Sequence, residues 1–136
     1  SVKKMPNRNI NTDIWLDSEI IDDFGKNDTF LWLYILTSPK TFLCGVLKAP
    51  LSSIAFDTKL NKNEIIESIN NLENKFHKIK YSKENNEILI LNWHKHNWTK
   101  SPKLVESIER TLKNIKTQEF TDYVEKIITE YKKPVR

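Results

Sequence analysis

Residues 28–93 decide the fold of this chain, and they read DTFLWLYILTSPKTFLCGVLKAPLSSIAFDTKLNKNEIIESINNLENKFHKIKYSKENNEILILNW. The spacing of apolar residues changes along this stretch from a helical period to strand-like runs, with turn residues between the segments. The predicted elements are a helix over 28–38, a strand over 42–50, helices over 50–60 and 61–75, and strands over 76–82 and 87–93. The polar loop KENN joins the last two strands and predicts a hairpin.

Local signals predict where the helices begin and end. Ser38-Pro39 ends the first helix of this stretch, because the residue before a proline is driven out of the helical region. Pro50 is expected in the first turn of the next helix, and Asn61 with Glu64 forms a capping-box pattern for the third. Upstream, Asp17 predicts the start of a short helix that ends at Gly25 in a left-handed conformation.

The order helix, strand, helix, helix, strand, strand is the order of a winged helix. We therefore predict an α+β fold that is mainly helical, a winged helix-turn-helix followed by C-terminal helices. The expected domains are an N-terminal arm over 1–13, the winged helix over 14–98 and a helical extension over 99–136. The extension forms either one long helix or two helices that turn near Thr117. Two helices are favoured, because a single helix of about 30 residues would extend roughly 45 Å.

Composition restricts the function classes. The chain has 136 residues, 38% hydrophobic and 29% charged, with a formal net charge of +4 and one cysteine. Cys44 stands among apolar residues, so we expect a buried thiol in a reducing, cytoplasmic protein that has no membrane span. With Gly25 and Gly45 as its two glycines, the chain lacks a glycine-rich phosphate loop, and no catalytic pattern stands out. The sequence thus predicts a protein that is not an enzyme and uses no cofactor.

The third predicted helix carries a polar face that is a candidate for reading DNA. Asparagine can pair with adenine in the major groove through two hydrogen bonds. The alternative is an ordinary solvated face, and Glu67 on the same side would repel phosphates. The candidate residues are Asn63, Asn70, Asn71 and Asn74.

Lysines near the predicted hairpin are candidates for phosphate contacts. Lys78, Lys80 and Lys83 lie on or beside one strand, where alternation places Lys78 and Lys80 on the same face. Such contacts give salt-dependent affinity without sequence preference. An ordinary solvated strand face explains these lysines equally well.

The segment after the hairpin interleaves aromatic and basic residues. Lys95 and Lys100 are further candidates for DNA contacts, and Trp93 and Trp98 have two possible roles. They either stack on bases, as in single-strand binders, or clamp the C-terminal helices onto the hairpin, which is the favoured interpretation. The spacing of His94 and His96 is too weak a pattern to predict a metal site.

The stretch from Ile14 to Trp98 resembles the N-terminal domain of phage replisome organiser proteins, which are relatives of the DnaD-type primosome proteins. The resemblance rests on the start at Trp15-Leu16-Asp17, on FLWLYILTSPKTFLCGVLKAPLSSIAFDTKL, on NKNEIIESINNLE and on EILILNWHKHNW. It continues into SPKLVESIERTLKNIKTQEF. One departure is Phe76-His77, where such domains often have Gly-Leu. Proteins of this kind commonly continue into a second, helical domain, so we expect either an N-terminal fragment or a short variant.

The resemblance implies a winged helix that self-associates and helps to load a replicative helicase. Self-association also agrees with the predicted helix over 28–38, which is apolar on nearly every side and so needs cover. The expected self-association residues are Ile14, Trp15, Phe30, Leu31 and Tyr34. The expected partners are duplex or single-stranded DNA, further copies of this chain as a dimer or higher oligomer, and a replicative helicase or its loader. The alternatives are a phage transcriptional regulator and an interaction scaffold that does not bind DNA.

Overall fold

The computed structural model describes residues 8–134 and shows an α+β fold that is mainly helical. The elements are, in chain order, a 3₁₀ helix over Thr12–Leu16, α1 (Ser18–Asp22), α2 (Lys26–Thr37), β1 (Val46–Lys48), α3 (Leu51–Thr58), α4 (Lys62–Asn70) with a π turn over Asn71–Lys75, β2 (Ile79–Ser82), β3 (Glu87–Ile90), α5 (Trp93–Asn97), α6 (Pro102–Leu112) and α7 (Gln118–Lys132). Residues 1–7 of the expected arm lie outside the described residues.

The three strands form an antiparallel sheet in the order β1-β3-β2. β3 is the central strand, with Val46 of β1 paired to Leu89 and Ile79 of β2 paired to Ile90. All four residues of β3 are buried, which explains why Ile88, Leu89 and Ile90 form a continuous apolar run rather than alternating with polar residues. Residues 83–86 form the tight turn of the β2–β3 hairpin, where Asn86 has a φ of 53°.

One hydrophobic core joins the helices to the sheet. Leu31 and Ile35 of α2 pack in the same cluster as the buried residues of all three strands. The C-terminal helices contribute to this same core through Val105, Ile108, Phe120, Val124 and Ile128. The two-helix interpretation of the extension is confirmed, with Thr117 as the N-cap of α7.

Three of the predicted helix boundaries are confirmed. The Asp17 side chain accepts a hydrogen bond from the Glu19 amide at the start of α1, and Ser38 is the C-cap of α2. Asn61 and Glu64 form the capping box of α4, with each side chain bonded to the other residue's amide. The prediction for Pro50 is wrong by one position, because this residue is the N-cap of α3, with φ −58° and ψ 137°, outside the helical region.

The prediction for Gly25 is wrong. Gly25 has a φ of −75° and is the N-cap of α2, rather than a left-handed end of α1. Its amide donates to the Asp28 carboxylate at 2.9 Å, so Asp28 is the third residue of α2 and the helix begins two residues earlier than expected. The structural reason is the capping box, in which an acidic side chain in the first turn binds back to the N-cap amide.

Two large apolar residues of α3 and α4 are on the surface. Phe56 is 75% exposed, because the buried residues Ile54 and Thr58 lie on the opposite side of α3. Ile66 is 46% exposed, because it follows the buried Ile65 by one residue, about 100° around α4. Helical periodicity therefore indicates which side of each helix is buried, but not how far around the helix the buried side extends.

Candidate nucleic-acid interface

The outer face of α4 carries four polar side chains at helical spacing. Asn63, Glu67, Asn70 and Asn74 are all exposed and lie away from the buried Ile65. The Asn74 side-chain amide donates to the Asn70 side-chain oxygen at 2.7 Å, which orders the last turn of this face. Among residues 8–134, the side-chain amide donors of Asn70 and the side chain of Asn63 have no hydrogen-bond partner, so a ligand could bind them.

Asn71 does not belong to this face. It is half-buried, and its side-chain amide donates to the Asp28 carboxylate of α2 at 3.1 Å. Seven residues earlier on α4, about two helical turns away, Glu64 accepts a hydrogen bond from the Asn27 side chain of α2 at 3.1 Å. The assignment of Asn71 to DNA contact is therefore wrong, because its side chain joins α4 to α2.

Two of the three hairpin lysines are free. Lys80 and Lys83 are exposed, and neither forms an ion pair with another described residue. Lys78 differs, because its ammonium lies 3.2 Å from the Glu19 carboxylate and 3.7 Å from that of Asp17. In this conformation the Lys78 ammonium is therefore paired with acids of α1 and its cap, whereas those of Lys80 and Lys83 are not.

The tryptophans of the aromatic and basic segment are buried. The indole N–H groups of Trp93 and Trp98 both donate to the Leu43 carbonyl, at 3.0 and 2.8 Å. The Trp98 ring also packs edge-on against Tyr131 of α7, with ring centroids 5.4 Å apart. These contacts exclude base stacking in this conformation. The two tryptophans do clamp a C-terminal helix, as the favoured interpretation expected. They join α7 to the segment before β1, however, and not to the hairpin.

Lys95 and Lys100 are exposed beside these tryptophans, on α5 and in the α5–α6 loop. His94 packs against both Trp98 and Tyr131, and its buried Nδ1 has no hydrogen-bond partner among the described residues. Burial, followed by the charges of Lys95 and His96, lowers the pKa of His94. Among residues 8–134, no three His, Cys, Asp or Glu side chains are placed to hold a metal ion.

Glu87 attaches the hairpin to the turn between α6 and α7. Its carboxylate is fully buried and accepts hydrogen bonds from the Lys48 ammonium, the Lys116 amide at 2.9 Å and the Thr117 amide at 2.8 Å. The Thr117 hydroxyl donates to it as well, at 2.6 Å. Burial alone would raise the pKa of Glu87, but the bonds from Lys48, Thr117 and Lys116 outweigh burial and lower the pKa.

Sequence reasoning did not find the contribution of the α6–α7 turn (residues 113–117). Lys113 and Lys116 are exposed there, and Asn85 of the hairpin turn donates to the Thr117 hydroxyl at 3.0 Å. The turn at Thr117 was predicted, but nothing in the sequence indicates which loop it would touch.

Arg8 also makes contacts that the sequence did not indicate. Its guanidinium donates to the carbonyls of Ser38 and Thr41 and lies 5.4 Å from the centroid of the Trp93 ring. The start of the described chain is thus attached to the loop between α2 and β1.

The expected self-association residues divide into exposed and buried groups. Trp15 is 56% exposed and Phe30 is 45% exposed. Ile14 is half-buried, and Ile14 and Trp15 lie beside Leu33 of α2. Leu31 is 0% exposed, so its assignment to an intermolecular contact is wrong and it is a core residue. The Tyr34 hydroxyl donates to Asp57 at 2.5 Å; burial and this carboxylate raise the pKa of Tyr34 to about 12.

The chain matches no protein-family model, no curated protein and no solved structure. Within residues 8–134, no helix combines the length and the apolar character that crossing a bilayer requires.

Proposed function

We propose that this chain is a winged-helix module that binds duplex DNA in replication initiation. The observation that carries the proposal is the antiparallel sheet in the order β1-β3-β2, with the helix pair α3 and α4 between β1 and β2 in the chain and the β2–β3 hairpin after it. In such an arrangement the second helix of the pair enters the major groove and the hairpin lies along the phosphate backbone. In this chain α4 is the second helix of the pair, and the β2–β3 hairpin follows it.

The chemistry of both elements supports this proposal. The outer face of α4 offers the amides of Asn63 and Asn70, which can donate to and accept from base edges. Lys80 and Lys83 offer two ammonium groups that no described carboxylate neutralises. Phosphate contacts from these lysines would supply affinity and orientation, and α4 would supply any sequence preference.

Exposed apolar residues near the start of α2 support self-association. Trp15, Leu16, Ile21 and Phe30 are each large, apolar and at least 45% exposed. Single exposed apolar residues need no explanation, but several from adjoining elements indicate an interaction surface. The resemblance of residues 14–98 to replisome organiser domains supports assembly into a dimer or higher oligomer, which then recruits a replicative helicase or its loader.

An interaction scaffold without DNA binding is the second candidate. Two observations favour it, namely Glu67 in the middle of the outer face of α4 and the pairing of Lys78 with acids. A transcriptional regulator with the same fold would differ from both by preferring a palindromic duplex, since its symmetry would match that of a protein dimer.

Fluorescence anisotropy with labelled AT-rich duplex, titrated across salt, tests the proposal. Each phosphate contact contributes about 0.9 to the slope of log affinity against log salt. The double variant Lys80→Ala, Lys83→Ala should therefore reduce the steepness of this slope by about 2. The matched control is Lys26→Ala, Lys126→Ala, which removes two exposed lysines on α2 and α7 and should leave the slope unchanged. Equal slopes for the two variants would show that Lys80 and Lys83 do not contact phosphates, and no binding at low salt would favour the scaffold.

A further inference from the structure

The α6–α7 turn lies against the turn of the β2–β3 hairpin and is attached to it at several points. Glu87 at the start of β3 accepts from the amides of Lys116 and Thr117, and Asn85 donates to the Thr117 hydroxyl. Because the Glu87 carboxylate is fully buried, these bonds are shielded from water and hold the two turns in one orientation. The two turns therefore form one continuous surface at this end of the molecule.

This shared surface carries an excess of positive charge. Lys113 and Lys116 are exposed, and neither is in an ion pair with another described residue. The negative charge of Glu87 is balanced by Lys48. Apart from Glu87, five basic residues and two acidic residues lie in the two turns and beside them. The basic residues are Lys80, Lys83, Arg110, Lys113 and Lys116, and the acidic residues are Glu84 and Glu119.

We propose that the α6–α7 turn is a second phosphate-binding element, in which Lys113 and Lys116 extend the contact of the hairpin lysines along the DNA backbone. This inference rests on the proposed DNA-binding function and names residues for the same interface. One turn of duplex is about 34 Å long and carries about 20 phosphates, so it is long enough to meet both turns together. The contact reads no sequence, because lysine ammonium groups bind phosphates without distinguishing bases.

Glu87 and Asn85 act in this surface as positioning residues. They touch no phosphate, but they determine where the backbone of Lys116 lies relative to Lys83. A carboxylate beside a DNA-binding surface would otherwise weaken binding by repulsion. Here four donor groups of the protein surround the carboxylate and compensate its charge, so the carboxylate does not repel the phosphates.

The test compares three double variants in the same salt titration with AT-rich duplex. Lys113→Ala, Lys116→Ala should reduce the steepness of the salt slope by about 2, and each phosphate interaction that is removed should weaken binding about eightfold at 0.1 M salt. Lys80→Ala, Lys83→Ala should do the same, and Lys26→Ala, Lys126→Ala is the charge-matched control. Circular dichroism of each variant confirms folding, and glutamine at both positions replaces alanine if helix content falls.

The outcomes separate this inference from the function on which it depends. If the hairpin variant has a reduced slope and the turn variant matches the control, the second element does not exist and the DNA-binding function stands. If the turn variant has a reduced slope and the hairpin variant does not, the phosphate contact is at the α6–α7 turn and the proposed use of the hairpin is wrong. If neither differs from the control, both proposals fail.

Discussion

Replacing Glu87 by glutamine is the perturbation with the largest expected effect on stability. The parent carboxylate has two oxygens that accept from the Lys48 ammonium, the amides of Lys116 and Thr117 and the Thr117 hydroxyl. Glutamine keeps the size of the side chain but turns one oxygen into an NH₂ group. Whichever way the amide is oriented, that group faces donors and cannot accept from them.

The expected decrease in stability follows from the bonds that one oxygen makes. Hydrogen bonds to a charged group contribute about 1.5–3 kcal/mol each, and removing one partner of a buried ion pair costs about 3–5 kcal/mol. Lys48 keeps 32% of its side chain exposed, so water offsets part of this cost at that partner. We expect Glu87→Gln to lower the free energy of unfolding by about 3–5 kcal/mol, out of the roughly 5–15 kcal/mol that such domains have.

Urea unfolding, followed by tryptophan fluorescence, measures this decrease. The matched control is Glu84→Gln, an exposed carboxylate in the same hairpin turn, for which we expect a change within about 0.5 kcal/mol. A Glu87→Gln variant within about 1 kcal/mol of the parent would show that the carboxylate does not join the hairpin to the α6–α7 turn.

The dependence on pH gives an independent check of the same contact. The pKa of Glu87 is lowered in the folded chain, so its contribution is complete above the unfolded pKa of about 4.3 and is lost as pH falls through the folded value. The parent should therefore lose stability relative to Glu87→Gln below about pH 4.3. A stability difference that is constant from pH 7 down to pH 3 would contradict the assigned bonds.

Three further predictions concern other parts of the chain. Gly45→Ala should lower the free energy of unfolding, measured in urea, by about 2–4 kcal/mol. The reason is that Gly45 has a φ of 91° and an added Cβ would lie 2.8 Å from the Trp93 side chain. A decrease in the free energy of unfolding of less than about 0.5 kcal/mol would contradict this packing. Lys78→Ala should leave the salt slope of DNA binding unchanged, since its ammonium is paired with two acids at the start of α1, whereas Lys83→Ala should reduce that slope by about 1. Cys44 should react with a thiol reagent only after unfolding, because the side chain is buried and burial raises its pKa; rapid labelling of the native chain would disagree with this environment.

The sequence predicted the elements whose signals are local. The apolar run over 88–91 indicated a covered strand, and β3 is the buried centre of the sheet. The capping pair Asn61 and Glu64 located the start of α4. These predictions succeeded because a cap or a fully apolar strand depends on residues that are close in the chain.

Predictions that depended on distant contacts were less successful. An asparagine on α4 has the same local pattern whether it faces solvent or a neighbouring helix, so Asn71 could not be separated from Asn70 before its bond to Asp28 was known. Likewise, Lys78 and Lys80 share one strand face by alternation, but the acids of α1 neutralise Lys78 alone. Glu87 gave no signal, because a glutamate beginning a strand is ordinary until its partners lie 29 and 30 residues later.

The proposed DNA-binding surface is formed by α4 and the β2–β3 hairpin together. Backbone amide chemical shifts in ¹⁵N-labelled protein, followed during titration with an AT-rich duplex, test it residue by residue. We expect shifts at Asn63, Glu67, Asn70 and Asn74 and in residues 80–86, with little change around Phe30. An unchanged spectrum at low salt, or shifts confined to the 3₁₀ helix, α1 and α2, would contradict the claim.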